Sequence, residues 1–279
     1  MTKPRYIDFH NHSTYSDGSG YPALVVKEAR LRDLDVIALT DHDMIEGIPE
    51  ARQAAKKWGM RFVPGIEIST DRYHILGLGI DIDNQQFREF VRFSESEQSK
   101  VCQARVNVLK DKGIPITFEK VLRAFPNSRL GKYNLFMALI QDEECQEYFQ
   151  RNGGRLTEPY YKELLKDKTG KEIADKLTCI NPERAIREIH QANGLAFIAH
   201  PFKQVKDMEE LEKLRSYGID GLEVQPNFNG RNDAFEQYAK DNDWLVTYGS
   251  DYHGGAFDRL MLRQGKNVLS PELEKALRL

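Results

Sequence analysis

Cysteine is scarce in this 279-residue chain: Cys102, Cys145 and Cys179 are odd in number and widely scattered. That excludes a disulfide framework and points to a reducing compartment, with the three as small buried or half-buried side chains. No apolar run approaches the roughly 18–20 residues needed to cross a membrane, and the opening MTKPRYIDFH has none of the apolar stretch of a secretion signal. Lys/Arg runs able to track a phosphate backbone are missing too. With a net charge of −3 from interspersed signs, extended nucleic acid is not the expected partner. Internal repeats and low-complexity segments are absent. What remains is the expectation of a soluble cytoplasmic protein. A hydrophobic share of 40% beside 30% charged residues suffices for a core in one large or two modest domains.

Histidine is sparse as well, at seven residues, and its placement is the strongest signal in the sequence. In Ile7–Gly18, IDFHNHSTYSDG, His10 and His12 end an apolar run at strand spacing, so their side chains face one spot. Short apolar runs then alternate with helical patterns. YIDFH precedes PALVVKEARLRD and VIALTDHD; PEARQAAKKWG follows, with Pro49 as a helix start and Gly59 as its stop. RFVPGIEIS and HILGLGI come next. This alternation favours parallel strands joined by right-handed crossovers.

From about residue 83 to 177 the pattern is helical, rich in Glu, Lys, Gln and Arg, and reads as an insertion or cap. Alternation resumes at Asn181-Pro182-Glu183, a capped helix start, and continues through LAFIAHP, GLEVQP and WLVTYGSDYH. The expected domains are a discontinuous barrel, 1–84 and 178–279, and a helical insertion, 85–177.

Five apolar runs end in ligand-type residues: FHNH, ALTDHD, GIEIS, FIAHP and TYGSDYH, while His74 opens HILGL. Functional groups of α/β barrels gather at the carboxyl ends of parallel strands. Scattered core histidines would show no such preference. Six histidines (His10, His12, His42, His74, His200, His253) with Asp17, Glu67 and Asp251 therefore form the candidate metal-ligating set, and His190, inside a helical pattern, reads as structural. The set lacks thiolate, which disfavours a closed structural zinc site. Imidazole suits zinc, iron and manganese, and the carboxylates shift the balance toward harder ions, manganese foremost. Nine ligands are too many for one ion, so two or three are expected. Such a group activates water and neutralises phosphate charge, which points to phosphate-ester hydrolysis.

HNH, Ser-Asp-Gly, ALTDHD, GIEIS, HILGL, AHP and GSDYH, in that order, resemble the PHP family of polymerase-associated and histidinol-phosphatase domains, over roughly residues 5–82 and 180–255. The resemblance implies a distorted seven-stranded β/α barrel with a trinuclear metal centre. Its first metal would take His10, His12, Glu67 and Asp251; its second would share Glu67 as a bridge and take His74 and His200; its third would take Asp17, His42 and His253. Aspartate at 17, with a helical insertion after HILGL, resembles the small-molecule phosphoesterases of the family, acting on nucleotides and related phosphates.

Where that subgroup often carries Gly-Arg-Pro-His, this chain reads Gly131-Lys132-Tyr133-Asn134. Lys132 pairs with phosphate only as a point charge, and Asn134 supplies hydrogen bonds without cationic charge. The plainer alternative for both is a surface helix start. Lys132, Asn134, Arg129 and Lys203 are the candidate phosphate contacts. In the expected mechanism a metal-bridging hydroxide attacks phosphorus, Asp251 accepts its proton, Glu67 bridges, and His42 serves the third metal. Asp43 and Tyr252 are candidates either for general acid or for orienting a ligand. Two alternatives stand beside a monoesterase: a diesterase on cyclic phosphates or oligonucleotide ends, and a non-catalytic metal-binding module.

Overall fold

The run Val36–Leu39 divides its side chains by parity. Val36 and Ala38 pack with Phe9, Val63, Leu76, Phe197 and Ala199, whereas Ile37 and Leu39 pack with Val25, Val26, Ala51 and Ala55 of the neighbouring helices. Strand side chains alternate between faces, so this one segment faces a sheet interior on one side and a helical layer on the other. The structure, a computed structural model, describes residues 4–165, 180–225, 231–254 and 267–279. Cys179 and residues 166–177 of the expected insertion lie outside the described residues.

Seven strands follow in spatial order: β1 (Ile7–Asp8), β2 (Val36–Leu39), β3 (Arg61–Ser69), β4 (His74–Leu78), β5 (Leu195–Ile198), β6 (Gly221–Val224) and β7 (Leu245–Tyr248). β1–β2–β3 and β5–β6–β7 pair in parallel, and β4 runs antiparallel to both β3 and β5. The cause is the short connection: a parallel return needs a crossover of a dozen or more residues, and only four separate Ser69 from His74. Past the end of β7 the sheet curls back onto β1, where Phe9 N donates to Tyr248 O at 2.9 Å and His12 N to Tyr252 O at 2.8 Å. The result is a nearly closed, distorted seven-stranded α/β barrel.

Helices α1 (Pro22–Leu31) and α2 (Ile48–Lys57) cover β2 and β3, and α3 (Gln85–Asp111) follows β4. Pro49 sits in the first turn of α2, and Gly59 takes φ +66°, a left-handed value that closes a helix end without a Cβ penalty. The chain divides into two compact units, residues 1–92 with 180–279 and residues 93–179, and the division falls inside α3.

In the second unit the rest of α3 packs with α4 (Phe118–Ala124), α5 (Lys132–Gln141), α6 (Glu143–Arg151) and α7 (Glu158–Leu164). Its core gathers Cys102, Val106, Leu109, Val121, Leu135, Leu139, Cys145 and Phe149, so both described cysteines are buried. The first unit continues with α8 (Pro182–Gln191), capped by Asn181 Oδ1 accepting from Arg184 N at 2.8 Å, then α9 (Pro201–Gln204), α10 (Met208–Ser216), α11 (Arg231–Asp241) and α12 (Pro271–Ala276).

Candidate metal centre

Parity carries the barrel interior into the site. On β3, Glu67 shares the face of Val63, and on β4, His74 shares the face of Leu76 and Leu78, all interior. Because β4 runs backwards, its first residue lies where the other strands finish. His74 therefore joins side chains from strand ends, and its backbone partner in the register is Ser69. On β5, Phe197 and Ala199 face inward, so a regular strand would turn residue 200 away. His200 instead has φ +29°, a left-handed conformation that breaks the alternation. Asp251, past β7, is likewise left-handed at φ +56°.

All nine predicted side chains come together in the first unit. Glu67, fully buried, is the hub: Oε1 accepts from His74 Nδ1 at 3.0 Å and His200 Nε2 at 3.1 Å. Oε2 lies 3.1 Å from His10 Nε2, 3.2 Å from His12 Nε2 and 3.1 Å from His42 Nδ1. Asp251 Oδ1 is 3.5 Å from His12 Nε2 and 3.5 Å from His253 Nδ1. Asp17 Oδ1 is 3.2 Å from His253 Nε2, and Asp17 Oδ2 is 3.9 Å from His42 Nε2. Asp17 is held there by its turn, in which Ser16 N and Gly18 N both donate to Ser13 O.

The donor set fits divalent cations. Four groups offer ligand atoms within 4.8 Å of one another: His12, Asp17, His42 and His253; His10, His12 and Glu67; His10, His200 and Asp251; His42, Glu67 and His74. Two atoms each about 2.1 Å from one ion, at roughly a right angle, stand about 3.0 Å apart, close to the spacings around Glu67. Buried polar atoms are normally hydrogen-bonded. Yet Glu67 Oε2 and Asp17 Oδ1 are buried and, among the described residues, meet their imidazole neighbours without hydrogen-bond geometry. Lone pairs converging without a proton between them are what a cation satisfies.

Electrostatics point the same way. Burial pushes the Glu67 carboxyl up, but His42, His10 and His74 outweigh it and hold it well below the usual range. Burial likewise raises Asp17 and Asp251; His253 and His42 overcome it at the first, and His12 and His10 at the second, leaving both well below the ordinary value. Burial opposes charge on His12, yet the neighbouring carboxylates of Asp251, Glu67 and Asp17 outweigh it and carry its pKa to about 9, so the pocket favours positive charge at this point.

Surrounding groups orient the ligands. His253 Nδ1 donates to Asp251 O at 2.8 Å. Both ends of the Gln204 amide are fixed by backbone: Oε1 accepts from His74 N at 2.9 Å and Nε2 donates to Ala199 O at 2.8 Å. Its N–H therefore faces His200 Nδ1 at 3.0 Å, which places the His200 proton on Nε2, toward Glu67. Ligation through that nitrogen requires the Gln204 amide to turn.

Asp43 Oδ1 accepts from Ser69 N at 3.0 Å, and Tyr252 packs in the apolar layer of α1 and α2. Of the four candidate phosphate contacts, Lys203 belongs to the first unit, its Nζ donating to Asp251 Oδ2 at 2.7 Å. The other three belong to the second, around the start of α5. There Asn134 is buried with Oδ1 accepting from Gly131 N at 2.9 Å, Arg129 is buried against Gly131, and the Lys132 carbonyl accepts from Tyr161 Oη at 2.8 Å.

Sequence reasoning missed Asp8, Asp41 and Glu223. Asp8 Oδ1 accepts from Ser250 N at 3.0 Å, and burial pushes its carboxyl up to about 6. Asp41 accepts from Ser13 N, Ser13 Oγ and Ser16 Oγ at 2.6–2.7 Å. Glu223 sits within GLEV, and a lone carboxylate in an apolar strand was the available signal.

The chain has clear relatives. A Haemophilus influenzae protein named 5'-3' exoribonuclease is 29% identical over 278 residues, covering 96% of this chain and 95% of the relative. An Eggerthella lenta protein named phosphoribosyl 1,2-cyclic phosphate 1,2-diphosphodiesterase is 28% identical, covering 88% and 94%. A Chromobacterium violaceum protein named 3',5'-nucleoside bisphosphate phosphatase is 27% identical, covering 88% and 87%. A crystal structure from Bifidobacterium adolescentis, provisionally described as a metal-dependent phosphoesterase, superposes with a TM-score of 0.76 at 23% identity, over 99% of this chain and 96% of the other, which shows a shared fold. The profile of the PHP domain matches residues 8–168, more than half of the chain. On that match, with the barrel and its strand-end cluster, the chain belongs to the PHP domain family.

Proposed function

We propose that this metal-dependent phosphoesterase hydrolyses a small phosphorylated metabolite, a nucleotide or sugar phosphate monoester, using two or three divalent ions with manganese foremost. What carries the reading is five imidazole nitrogens within 3.2 Å of one buried carboxylate, Glu67. His10, His12, Asp17, His42, Glu67, His74, Asp251 and His253 are the proposed ligands, and His200 joins them once its Nε2 proton is displaced. Bound divalent ions supply Lewis-acid stabilisation of phosphate charge and activation of water.

The chain's own groups do the rest. Asp251 is the proposed acceptor of the attacking water's proton. His12 and His10 outweigh its burial and keep it ionised, which leaves its lone pairs open but makes it a weak base. The transfer therefore depends on the water being acidified by the bound cations. Lys203, exposed and 2.7 Å from Asp251 Oδ2, offers a point charge to a substrate phosphate oxygen. Arg129, Lys132 and Asn134 are proposed as further contacts of the substrate.

A second reading, stepwise release of nucleotides from the end of a short RNA, is favoured by the relative named exoribonuclease, which matches almost the whole of both chains. The test is one panel: a nucleoside 3',5'-bisphosphate, a cyclic phosphate and a short 5'-phosphorylated RNA, each with manganese, reading phosphate and nucleotide release. Inorganic phosphate from the bisphosphate, abolished by chelation and restored by manganese, is expected. Mononucleotides from RNA with no turnover of the monoester would replace the first reading with the second. Inertness toward all three with stoichiometric bound metal would favour a binding module.

A further inference from the structure

Of the seven strands, β6 alone contributes none of the nine clustered side chains. What it contributes is Glu223, fully buried. Glu223 Oε1 stands 2.8 Å from His10 Nδ1, and Oε2 accepts from His200 N at 2.6 Å. An ionised carboxylate only accepts hydrogen bonds, so the proton between Glu223 and His10 sits on Nδ1. That leaves His10 Nε2 as the nitrogen directed at the cluster, 3.1 Å from Glu67 Oε2 and 3.1 Å from His12 Nε2.

The other oxygen grips the peptide of a residue in a conformation that non-glycine residues avoid, His200 at φ +29°. Space for this carboxylate is kept open from β7's end. At Gly249 a Cβ would land on both Glu223 Oε1 and His10 Cβ.

We infer, on the divalent-metal reading of the cluster, that Glu223 is a positioning residue that fixes the proton of His10 on Nδ1 while clamping the left-handed backbone of His200, so that one side chain sets two ligands drawn from different strands. It touches no reacting atom in this role; it acts through the two histidines.

Glu223→Gln separates this role from mere filling of space. The amide has one acceptor oxygen for two donors. The His200 peptide N–H has no other hydrogen to rearrange, so the oxygen turns to it and the NH2 turns to His10 Nδ1, driving the His10 proton to Nε2 and blocking that nitrogen. Nitrogen-15-edited NMR of the full chain stripped of metal should show a slowly exchanging proton on His10 Nδ1 in the parent and its loss in Glu223→Gln. Titration with Mn2+ alone should show affinity weakened about 10–100-fold in the variant, with unchanged far-UV circular dichroism.

An unprotonated Nδ1 in the parent, or Glu223→Gln binding Mn2+ within about twofold of the parent, overturns the role. If the variant does not fold, the parent spectrum decides alone. A parent that binds no Mn2+ overturns the metal reading instead, and is distinguished from failure of the Glu223 role by the Nδ1 proton in the same sample.

Discussion

Glu67→Gln is the most direct perturbation of the proposed centre. The amide is nearly isosteric, so the barrel interior around residue 67 keeps its packing. What changes is charge and lone pairs at a group within 3.2 Å of five imidazole nitrogens. An NH2 in place of Oε1 would face His74 and His200; in place of Oε2 it would face His10, His12 and His42. Either way the carboxylate touching all five is gone, and with it the group expected to bridge two cations.

Divalent ions contribute several kcal/mol of stabilisation to a phosphoryl transition state. At about 1.36 kcal/mol per tenfold in rate, losing roughly 4 kcal/mol lowers kcat/KM about 10³-fold. The assay is phosphate release at saturating manganese, beside elemental analysis of metal per chain and far-UV circular dichroism. Activity should fall by that factor, with at least one metal equivalent lost and the spectrum unchanged. Turnover within about tenfold of the parent, with metal content intact, would refute the assignment of Glu67 as the hub.

Three further outcomes are expected. Gly249→Ala should reduce metal content and activity together, because its methyl lands on Glu223 and His10; elemental analysis checks it. Phe197→Ala, in the barrel interior and fully buried, should cost about 3–5 kcal/mol in denaturant unfolding, a large part of a typical domain's 5–15 kcal/mol. His190 lies 2.8 Å from Asp220 Oδ2, a hydrogen bond that raises its pKa above 6.5. A raised folded pKa favours the protonated form, so its stabilisation is fully present below the unfolded value and fades as pH rises through the folded one. His190 is more than a third exposed, so the effect stays below about 1 kcal/mol. Urea midpoints of parent and His190→Asn should therefore differ more at about pH 6 than at about pH 9.

Much of the barrel and its cluster is legible because strand alternation and the placement of ligand-type residues coincide. Period-two alternation in VIAL and HILGL places alternate residues inside, and ligand-type residues at the ends of those runs inherit the interior. The resemblance adds the grouping of the nine side chains to that reading. The direction of β4 departs from the parallel expectation for a reason that is itself local, the four-residue link Thr70–Tyr73. Backbone reversals are harder to read: Asp and His enter the left-handed region more often than most residues, but most of them do not, so nothing in Ala199-His200-Pro201 or Ser250-Asp251-Tyr252 singles out His200 or Asp251. Glu223 escapes for a related reason. Its partners are a ring nitrogen more than two hundred positions earlier and a peptide N–H, and neither leaves a mark in GLEVQP. Substrate identity is least legible, because helical composition in the second unit specifies packing without specifying which cation meets a phosphate.

The seam between β7 and β1 rests on a few backbone bonds, among them Phe9 to Tyr248 and His12 to Tyr252. Across that junction lie His10 and His12 on one side and Asp251 and His253 on the other. Cations held across it, by His12 with His253 or by His10 with Asp251, would work as a clasp, fastening the first and last staves of the barrel. Occupancy would then feed into folding by mass action, worth about 4 kcal/mol at a thousandfold excess over Kd. Cells short of the ion would lose standing protein as well as turnover, so abundance itself would report metal supply.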